Sequence, residues 1–412
     1  MSEIRMVDKA YDTKRKKVRS DAKLVRLGDS VSSVGERLST GFEEFDRVLG
    51  GGIVSGSVVL LSGDPGIGKS TLLLELGLYI AGRKGKSVVY ISSEESEEQL
   101  RMRADRLVKN VSLSDLNLFA LSTSDIDHAV HLIEKEKPSL VIVDSIQMME
   151  TQEIASFPGS VAQIRYATSS LVELAKGLGI PLFLVGHVTK EGIVAGPMLL
   201  SHMVDAVLYL EGESFSGTRM LRAFKNRFGD CSEVGIFTMA EKGMNEIKDA
   251  SSFFLNKKNA SVPGNCVAVV MEGSRPILVE IQALVVPSSL SYPRRVVSGL
   301  PERRVELLLA AVQKHIHVAL DRTDVFLNVV GGLKILETAS DLAICLSLIS
   351  SFRNKPLFSL VAISEVGLLG ELRAVVNLEK RISEARKFGY THVLTSKIYP
   401  FLDGAVKSIL GI

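Results

Sequence analysis

Nine consecutive residues, Gly63-Asp64-Pro65-Gly66-Ile67-Gly68-Lys69-Ser70-Thr71, have the types and spacing of a phosphate-binding loop: a Gly, four residues, then Gly-Lys-Ser. The glycines let backbone N–H groups turn inward around a triphosphate, and a helix that follows adds the positive end of its dipole. Lys69 is placed to reach the β- and γ-phosphates, and Ser70 to offer its hydroxyl to Mg²⁺. The reading is therefore a site for ATP held as its Mg²⁺ complex.

Hydrolysis at such a site needs more than a cradle. Leu140-Val141-Ile142-Val143-Asp144 is an apolar run that ends in a carboxylate, and Asp144 would complete the Mg²⁺ shell through water. Ser92-Ser93-Glu94-Glu95 follows a second apolar run. Two adjacent acids cannot both face one water, so Glu94, nearer the strand end, is the candidate to orient or deprotonate it. Glu95 is expected to open the next helix. His187, at the end of a further apolar run, could touch the γ-phosphate and report its loss to the Gly-rich stretch Glu191 to Pro197, which reads as a mobile loop. Lys225-Asn226-Arg227-Phe228-Gly229 carries two cations far along the chain from the phosphate loop. By residue type alone it reads as a basic surface strand, although such cations can also act on a neighbouring subunit's phosphates.

These residues need a scaffold that brings strand ends together. Ser57 to Leu61 reads as a buried strand and Thr71 to Arg83 as a helix with a broad apolar face. Strands then alternate with helices: Ser87 to Ser92, a helix from Glu94 to Leu107, a third strand Leu140 to Val143, a helix Ser160 to Leu178, and a fourth strand Pro181 to Val185. That alternation predicts a parallel α/β sheet, whose ligand sites form at the carboxyl ends of its strands. Ala206 to Leu210 and Met220 to Lys225 read as a hairpin-like pair, with Gly235 to Met239 as another strand. Before all of these, Phe45 to Gly52 reads as a short helix stopped by three glycines.

The polar stretch 249–262 marks a change of character, and a second α/β or α+β domain is placed from residue 253 to 412. Its expected strands are Cys266 to Met271, Pro276 to Leu284, Val325 to Val329, Leu360 to Val366 and Thr391 to Leu394. Its expected helices are Glu302 to Lys314, Ser340 to Ser351 and Leu378 to Phe388. Residues 28–252 then form the nucleotide domain and residues 1–27 a leader. That leader holds nine Lys/Arg against four Asp/Glu; Lys14 to Lys17 with Arg19 could form a nucleic-acid arm, but the segment reads most simply as a solvated tail.

Composition narrows the class further. At 412 residues, the chain is long enough for two or three cores. No apolar stretch approaches the ~18 residues that span a bilayer, and no signal-peptide core is present, so a cytoplasmic protein is expected. Cys231, Cys266 and Cys345 lie far apart with no CxxC pair, which argues against a disulfide framework or a zinc knuckle.

Taken together, STGFEEFDRVLGGGIVSGSVVLLSGDPGIGKST, YISSEES, LVIVDSIQ, VGHVTKEG and KNRFG resemble, in order, the RadA (Sms) family of bacterial DNA repair proteins, over roughly residues 24 to 412. The resemblance implies a RecA-like P-loop ATPase core that forms a homo-oligomeric, hexameric ring on single-stranded DNA. It also implies helicase-like branch migration of recombination intermediates, with branched DNA, a RecA-type recombinase and repair machinery as partners. In that family the KNRFG cations act across subunits, a role that Lys225 and Arg227 would inherit. The second half looks like the family's Lon-protease-like domain. The serine of a proteolytic Ser–Lys dyad falls on Ala339 and the lysine on Glu379, with Ser340 and Lys380 one residue away. A one-residue shift turns a helical side chain by ~100°. The domain is therefore expected to be a non-proteolytic scaffold and DNA platform, with Arg294, Arg295, Arg303, Arg304, Lys380 and Arg381 as candidate phosphate contacts. The four-cysteine zinc finger usual at the family's N-terminus has no CxxC counterpart in this sequence, which leaves functions tied to it, such as partner recruitment, in doubt. Two other readings remain: an ATP-dependent Lon-type protease, and a RecA-fold signalling ATPase without DNA.

Overall fold

The computed structural model describes residues 37–411 apart from 109–110, 188–199, 213–216 and 256–261. The expected loop at Glu191 to Pro197 and the basic leader at 1–27 lie outside the described residues.

Helix α1 (Glu43–Leu49) ends on Gly50, whose φ of 81° lets its N–H turn back onto the carbonyls of Arg47 and Asp46. Among the described residues, nine strands then build one sheet. They are β1 (Val58–Gly63), β2 (Val88–Ser92), β3 (Leu118–Ser122), β4 (Leu140–Asp144), β5 (Leu182–His187), β6 (Ala206–Glu211), β7 (Thr218–Asn226), β8 (Val234–Ala240) and β9 (Gly243–Glu246). Their order is β3-β2-β4-β5-β1-β6-β7-β8-β9. The strands from β3 to β6 are parallel, while β7, β8 and β9 continue antiparallel.

Helices α2 (Lys69–Ala81), α3 (Glu97–Leu107), α4 (Ile126–Glu136) and α5 (Val161–Leu178) connect the strands. One apolar core joins α2 and α3 to one face of the sheet, and a second joins α4 and α5 to the other. Strands covered on both faces read as continuous apolar runs, as β1 does with every residue buried.

Several elements differ from the sequence reading, and β9, the later strand Arg295–Ser298 and the helix Leu402–Leu410 were not expected at all. Strand β3 and helix α4 fall between residues read as connection. β3 is an edge strand whose short apolar run, Leu118 to Leu121, is exposed or half-buried. α4 also carried a signal: Asp125 caps it, and Ile126, Ala129 and Ile133 repeat on one face. Helix α3 starts at Glu97, not Glu94, because Ser96 and Gln99 form a reciprocal capping box that fixes the start. Glu95 therefore lies outside the helix it was expected to open.

A second sheet follows α6 (Ala250–Phe254). Its elements in chain order are β10 (Asn265–Glu272), β11 (Arg275–Pro287), β12 (Arg295–Ser298), α7 (Glu302–Ile316), β13 (Thr323–Val329), α8 (Asp341–Arg353) and β14 (Leu360–Ile363). After these come a short hairpin of β15 (Glu365–Val366) and β16 (Leu372–Arg373), then α9 (Leu378–Lys387), β17 (His392–Thr395) and α10 (Leu402–Leu410). The six-stranded order is β12-β13-β11-β10-β14-β17. Helix α8 is buried from Asp341 to Ser350 and lies at the centre of this half. The expected strand Leu360 to Val366 is broken at Ser364, whose hydroxyl donates to the Arg373 carbonyl at 2.8 Å and starts the β15–β16 hairpin.

The two sheets share a core: Met220, Val234 and Ile236 from the first pack with Phe254, Ile277 and Val279 of the second half. Polar clasps reinforce the seam. Fully buried Glu44 accepts from the Arg275 guanidinium at 2.8 Å and from the Ile236 N–H at 3.0 Å. Arg222 on β7 bridges Glu211 and Glu272.

Candidate nucleotide site

The phosphate loop leaves β1 where the chain is most crowded. A Cβ on Gly63 would lie 2.2 Å from the Leu210 carbonyl oxygen on β6, so only glycine fits. Gly68, at φ 112°, lies against the methyl ends of Met239 and Met244, and a Cβ there would come within 2.5 Å of both. Asp64, Pro65 and Gly66 are exposed at the loop tip, Ile67 is buried beneath it, and Ser70 and Thr71 are half-buried in the first turn of α2. That turn contains no acidic residue, so the free N–H groups of a 13-residue helix face the loop unopposed.

Lys69 is 3% exposed, and its Nζ donates to the carbonyls of Gly63 at 2.9 Å and Asp64 at 3.0 Å. Burial lowers its pKa, and the charges of Asp144, Asp64 and Glu94 oppose that shift. A buried ammonium ringed by loop carbonyls and three nearby carboxylates suits a polyphosphate with a divalent cation. The residues present therefore fit ATP and Mg²⁺.

Asp144 and Glu94 meet at the same sheet edge because β2 and β4 are neighbours in register, with Ser92 opposite Asp144. Asp144 Oδ2 accepts a 2.6 Å hydrogen bond from the hydroxyl of Tyr90, which is buried and whose pKa is driven well up by burial and by the Asp144 charge. Glu94 Oε1 accepts from the Ser145 hydroxyl at 2.8 Å, and Ser145 N–H donates to Ser93 Oγ at 3.1 Å. Glu95 instead pairs with Arg103 on α3. The two adjacent acids thus point to different partners, and Glu94 is the one on the Asp144 side.

His187 lies opposite Gly63 in the β1–β5 register, so its backbone reaches the start of the phosphate loop. Its side chain lies outside the described residues.

Lys225 and Arg227 are at the other end of the sheet. Lys225 Nζ donates to the carbonyls of Ser201 at 2.6 Å and Val204 at 2.8 Å. Arg227 pairs with Asp205 at 3.1 Å, and Asp205 also accepts from the first N–H of β1, that of Val58. On β6, Ala206 is paired with Asn226 and Leu210 with Gly63. Four strand residues separate those levels, roughly 13 Å. Asn226 holds the segment in place by donating to the Val48 carbonyl at 3.1 Å.

Residues missed from sequence complete the surroundings. Gln163 on α5, 1% exposed, accepts from Thr151 N–H at 2.9 Å and donates to the carbonyls of Thr151 and Ile154, both at 3.0 Å. It thereby shapes the loop after β4 and leaves Phe157 88% exposed at its tip. A glutamine within an amphipathic helix gives no sequence signal of that role. Arg219 on β7 is 5% exposed and reaches the phosphate loop itself, donating to the Ile67 carbonyl at 3.1 Å.

In the second half, Ala339 and Ser340 are both buried, and Ser340 Oγ donates to the Glu337 carbonyl at 3.3 Å. Glu379 is exposed and pairs with Lys397 at 2.7 Å, and Lys380 is exposed beside it. No Ser–Lys contact forms among these four. Two of the proposed phosphate contacts are spoken for. Arg381 is fully buried, with Nη1 and Nη2 on Glu337 at 2.7 and 2.6 Å and Nη1 also on the Val269 carbonyl at 2.6 Å. Arg304 is half-buried and holds Asp341 and the Val366 carbonyl. Arg294, Arg295, Arg303 and Lys380 are exposed, although Arg295 also donates to the Leu320 carbonyl at 2.6 Å.

Among the described residues, no helix is long and apolar enough to cross a membrane. A family model described as an AAA domain matches residues 23–192. The chain is 46% identical over 394 residues to the DNA repair protein RadA of Bacillus subtilis, covering 94% of this chain and 85% of that protein. It is 48% identical over 359 residues to the DNA repair protein RadA of Pseudomonas aeruginosa, covering 87% of this chain and 78% of that one. Among solved structures, the RadB recombinase aligns with 51% of this chain and 100% of its own length, at 25% identity and a TM-score of 0.41.

Proposed function

This chain belongs to the RadA family of DNA repair proteins and carries a RecA-like ATPase core, and from that premise we propose that it is a DNA-dependent motor that drives branch migration of recombination intermediates. The observation that carries the reading is the split between the two ends of the sheet. Lys69, Asp144 and Glu94 converge at one edge, whereas Lys225 lies roughly 10 Å away along the strands, opposite Val207, and Arg227 lies farther still. A protomer cannot bring those cations to its own phosphates, so they serve a neighbour's site in a ring.

Bound Mg²⁺ would neutralise charge on the β- and γ-phosphates and position them. Ser70 and Asp144 are the residues that would hold it. The N–H groups of Gly66 to Thr71 bind the phosphates, and Lys69 pairs with their charge. Glu94, fixed by Ser145, orients the attacking water and accepts its proton. His187 senses the γ-phosphate from the end of β5. Lys225 and Arg227 of one subunit stabilise the transferring phosphoryl group of the next, which makes hydrolysis depend on assembly.

Residues 28–252 act as the motor, and residues 253–412 as a Lon-like scaffold that adds distributed positive charge for the DNA backbone. Single-stranded and branched DNA are the substrates, a hexamer is the working form, and a RecA-type recombinase and repair machinery in the cytoplasm are the partners. Ser340 is buried and donates to the Glu337 carbonyl while Lys380 is exposed, which speaks against the protease alternative. Comparing the ATPase rate with and without single-stranded DNA at low salt, followed by a strand-migration assay, tests the proposal. Stimulation and movement are expected. An unchanged rate with no DNA binding would favour a signalling ATPase instead.

A further inference from the structure

The phosphate loop is gripped from outside by a residue that its sequence motif does not include. Arg219 lies at the start of β7 in the crowded turn after β6, where a Cβ on Gly212 would meet the Arg219 side chain at 3.1 Å. Its Nε donates to the Ile67 carbonyl at 3.1 Å, and its Nη1 donates to the Thr218 carbonyl at 2.9 Å. The guanidinium is planar, and these two bonds use separate edges of its fork. Its orientation is therefore set by its own strand, and the loop carbonyl is drawn to it.

The consequence follows from peptide geometry. In a planar trans peptide, the C=O and the following N–H point in opposite directions. With the Ile67 carbonyl drawn toward β7, the Gly68 N–H of the same peptide faces away from β7, into the bowl of the loop. Gly68, at φ 112°, can be turned out of that arrangement at little steric cost, because glycine populates both halves of φ space. The neighbouring side chains at Gly68 are the flexible ends of Met239 and Met244, which yield easily. Within this shell, Arg219 supplies the directional polar contact to the Ile67–Gly68 peptide.

We propose that Arg219 is a positioning residue that locks the Ile67–Gly68 peptide of the phosphate loop, so that the Gly68 N–H is preset toward the bound nucleotide's phosphates. Its guanidinium also sits behind the loop as a fixed positive charge, on the side opposite the phosphates. Arg219 shares β7 with Lys225, six residues further along, so the strand that grips a protomer's own loop also carries the cation assigned to its neighbour. The proposal rests on the nucleotide site described above.

The test uses the full chain and its Arg219→Gln and Arg219→Lys variants, with fluorescent ADP and ATP analogues as probes. Binding by the unaltered protein checks the nucleotide site itself, independently of Arg219. Arg219→Gln is expected to weaken ADP and ATP by a similar factor, about tenfold or more, because a preset loop N–H serves both ligands. KM for ATP should rise with kcat at saturation nearly kept, and Arg219→Lys should recover part of the affinity. Circular dichroism and the melting temperature without nucleotide report folding separately, and the lysine variant carries the test if the glutamine variant does not fold. Unchanged affinity in a folded variant would overturn the proposal, as would a fall in kcat with KM unaltered.

Discussion

The Ser145 hydroxyl donates a 2.8 Å hydrogen bond to Glu94 Oε1, tying the residue after β4 to the turn after β2. One carboxylate oxygen of Glu94 is thus held by the neighbouring strand, next to the Asp144 that would face the metal. A general base works only when its orientation is fixed relative to the water it activates. Glu94→Gln keeps the shape and removes the basicity. Hydrolysis should fall by ~10²–10⁴-fold while binding of a fluorescent nucleotide stays near that of the parent. Ser145→Ala frees the carboxylate without neutralising it, and a smaller loss of about tenfold is expected. If Glu94→Gln hydrolyses ATP at the parent rate, another group activates the water.

The position of Lys225 yields a prediction that does not depend on DNA. Lys225→Ala and Lys69→Ala should each be nearly inactive as pure proteins, for different reasons. On the proposed cross-subunit role, Lys69→Ala would lack its own phosphate cradle, whereas Lys225→Ala would fail to serve its neighbour. In mixed rings, some interfaces pair an intact Lys69 with an intact Lys225, so mixing the two should restore measurable ATPase activity. A mixture no more active than either variant alone, with mixed assembly verified by cross-linking, would remove the cross-subunit role.

The path from sequence to this site was uneven, for physical reasons. The phosphate loop, Asp144 and Glu94 were legible because each follows a buried apolar strand, and parallel topology sends all such ends to one edge. The start of α3 at Glu97 was also readable from its cap Ser96 and Gln99, three residues apart. Strand β3 was not, although Leu118 to Leu121 is a short apolar run, because four apolar residues alone do not separate a strand from a buried connection. Arg381 differs in kind from the expectation of a phosphate contact. Between exposed Lys380 and half-buried Ile382 it looked like one more basic residue on an amphipathic helix, yet it points inward. Its partner Glu337 lies 44 positions away, a pairing that local pattern cannot reveal.

Phe157 leads to a prediction about DNA. It is 88% exposed at the tip of a loop that Gln163 braces, so the ring is presented to solvent on a fixed support. An aromatic face stacks on any base and contributes about 1–3 kcal/mol per base in single-strand binding. Phe157→Ala should weaken single-stranded DNA binding by about 5- to 150-fold at fixed salt, leaving basal ATPase activity intact. Phe157→Tyr should bind like the parent. Equal affinity of the alanine variant and the parent, measured by fluorescence anisotropy, would show that the loop does not contact bases.

The Arg381–Glu337 pair offers the sharpest stability test. The guanidinium is fully buried and meets both carboxylate oxygens, while Glu337 Oε1 also accepts from the Met271 N–H at 2.7 Å. Removing one member of such a pair leaves a charge without its partner, which costs about 3–5 kcal/mol. Replacing both with apolar groups is far less costly, because neither charge is then stranded. Arg381→Leu should therefore melt roughly 10 °C below the parent, at about 2–4 °C per kcal/mol for a unit of this size. Adding Glu337→Leu should recover part of that loss rather than deepen it. The recovery stays incomplete, since the Met271 N–H and the Val269 carbonyl lose their partners. Additive losses in the double variant, followed by calorimetry, would mean the two residues act independently and the ion pair contributes little.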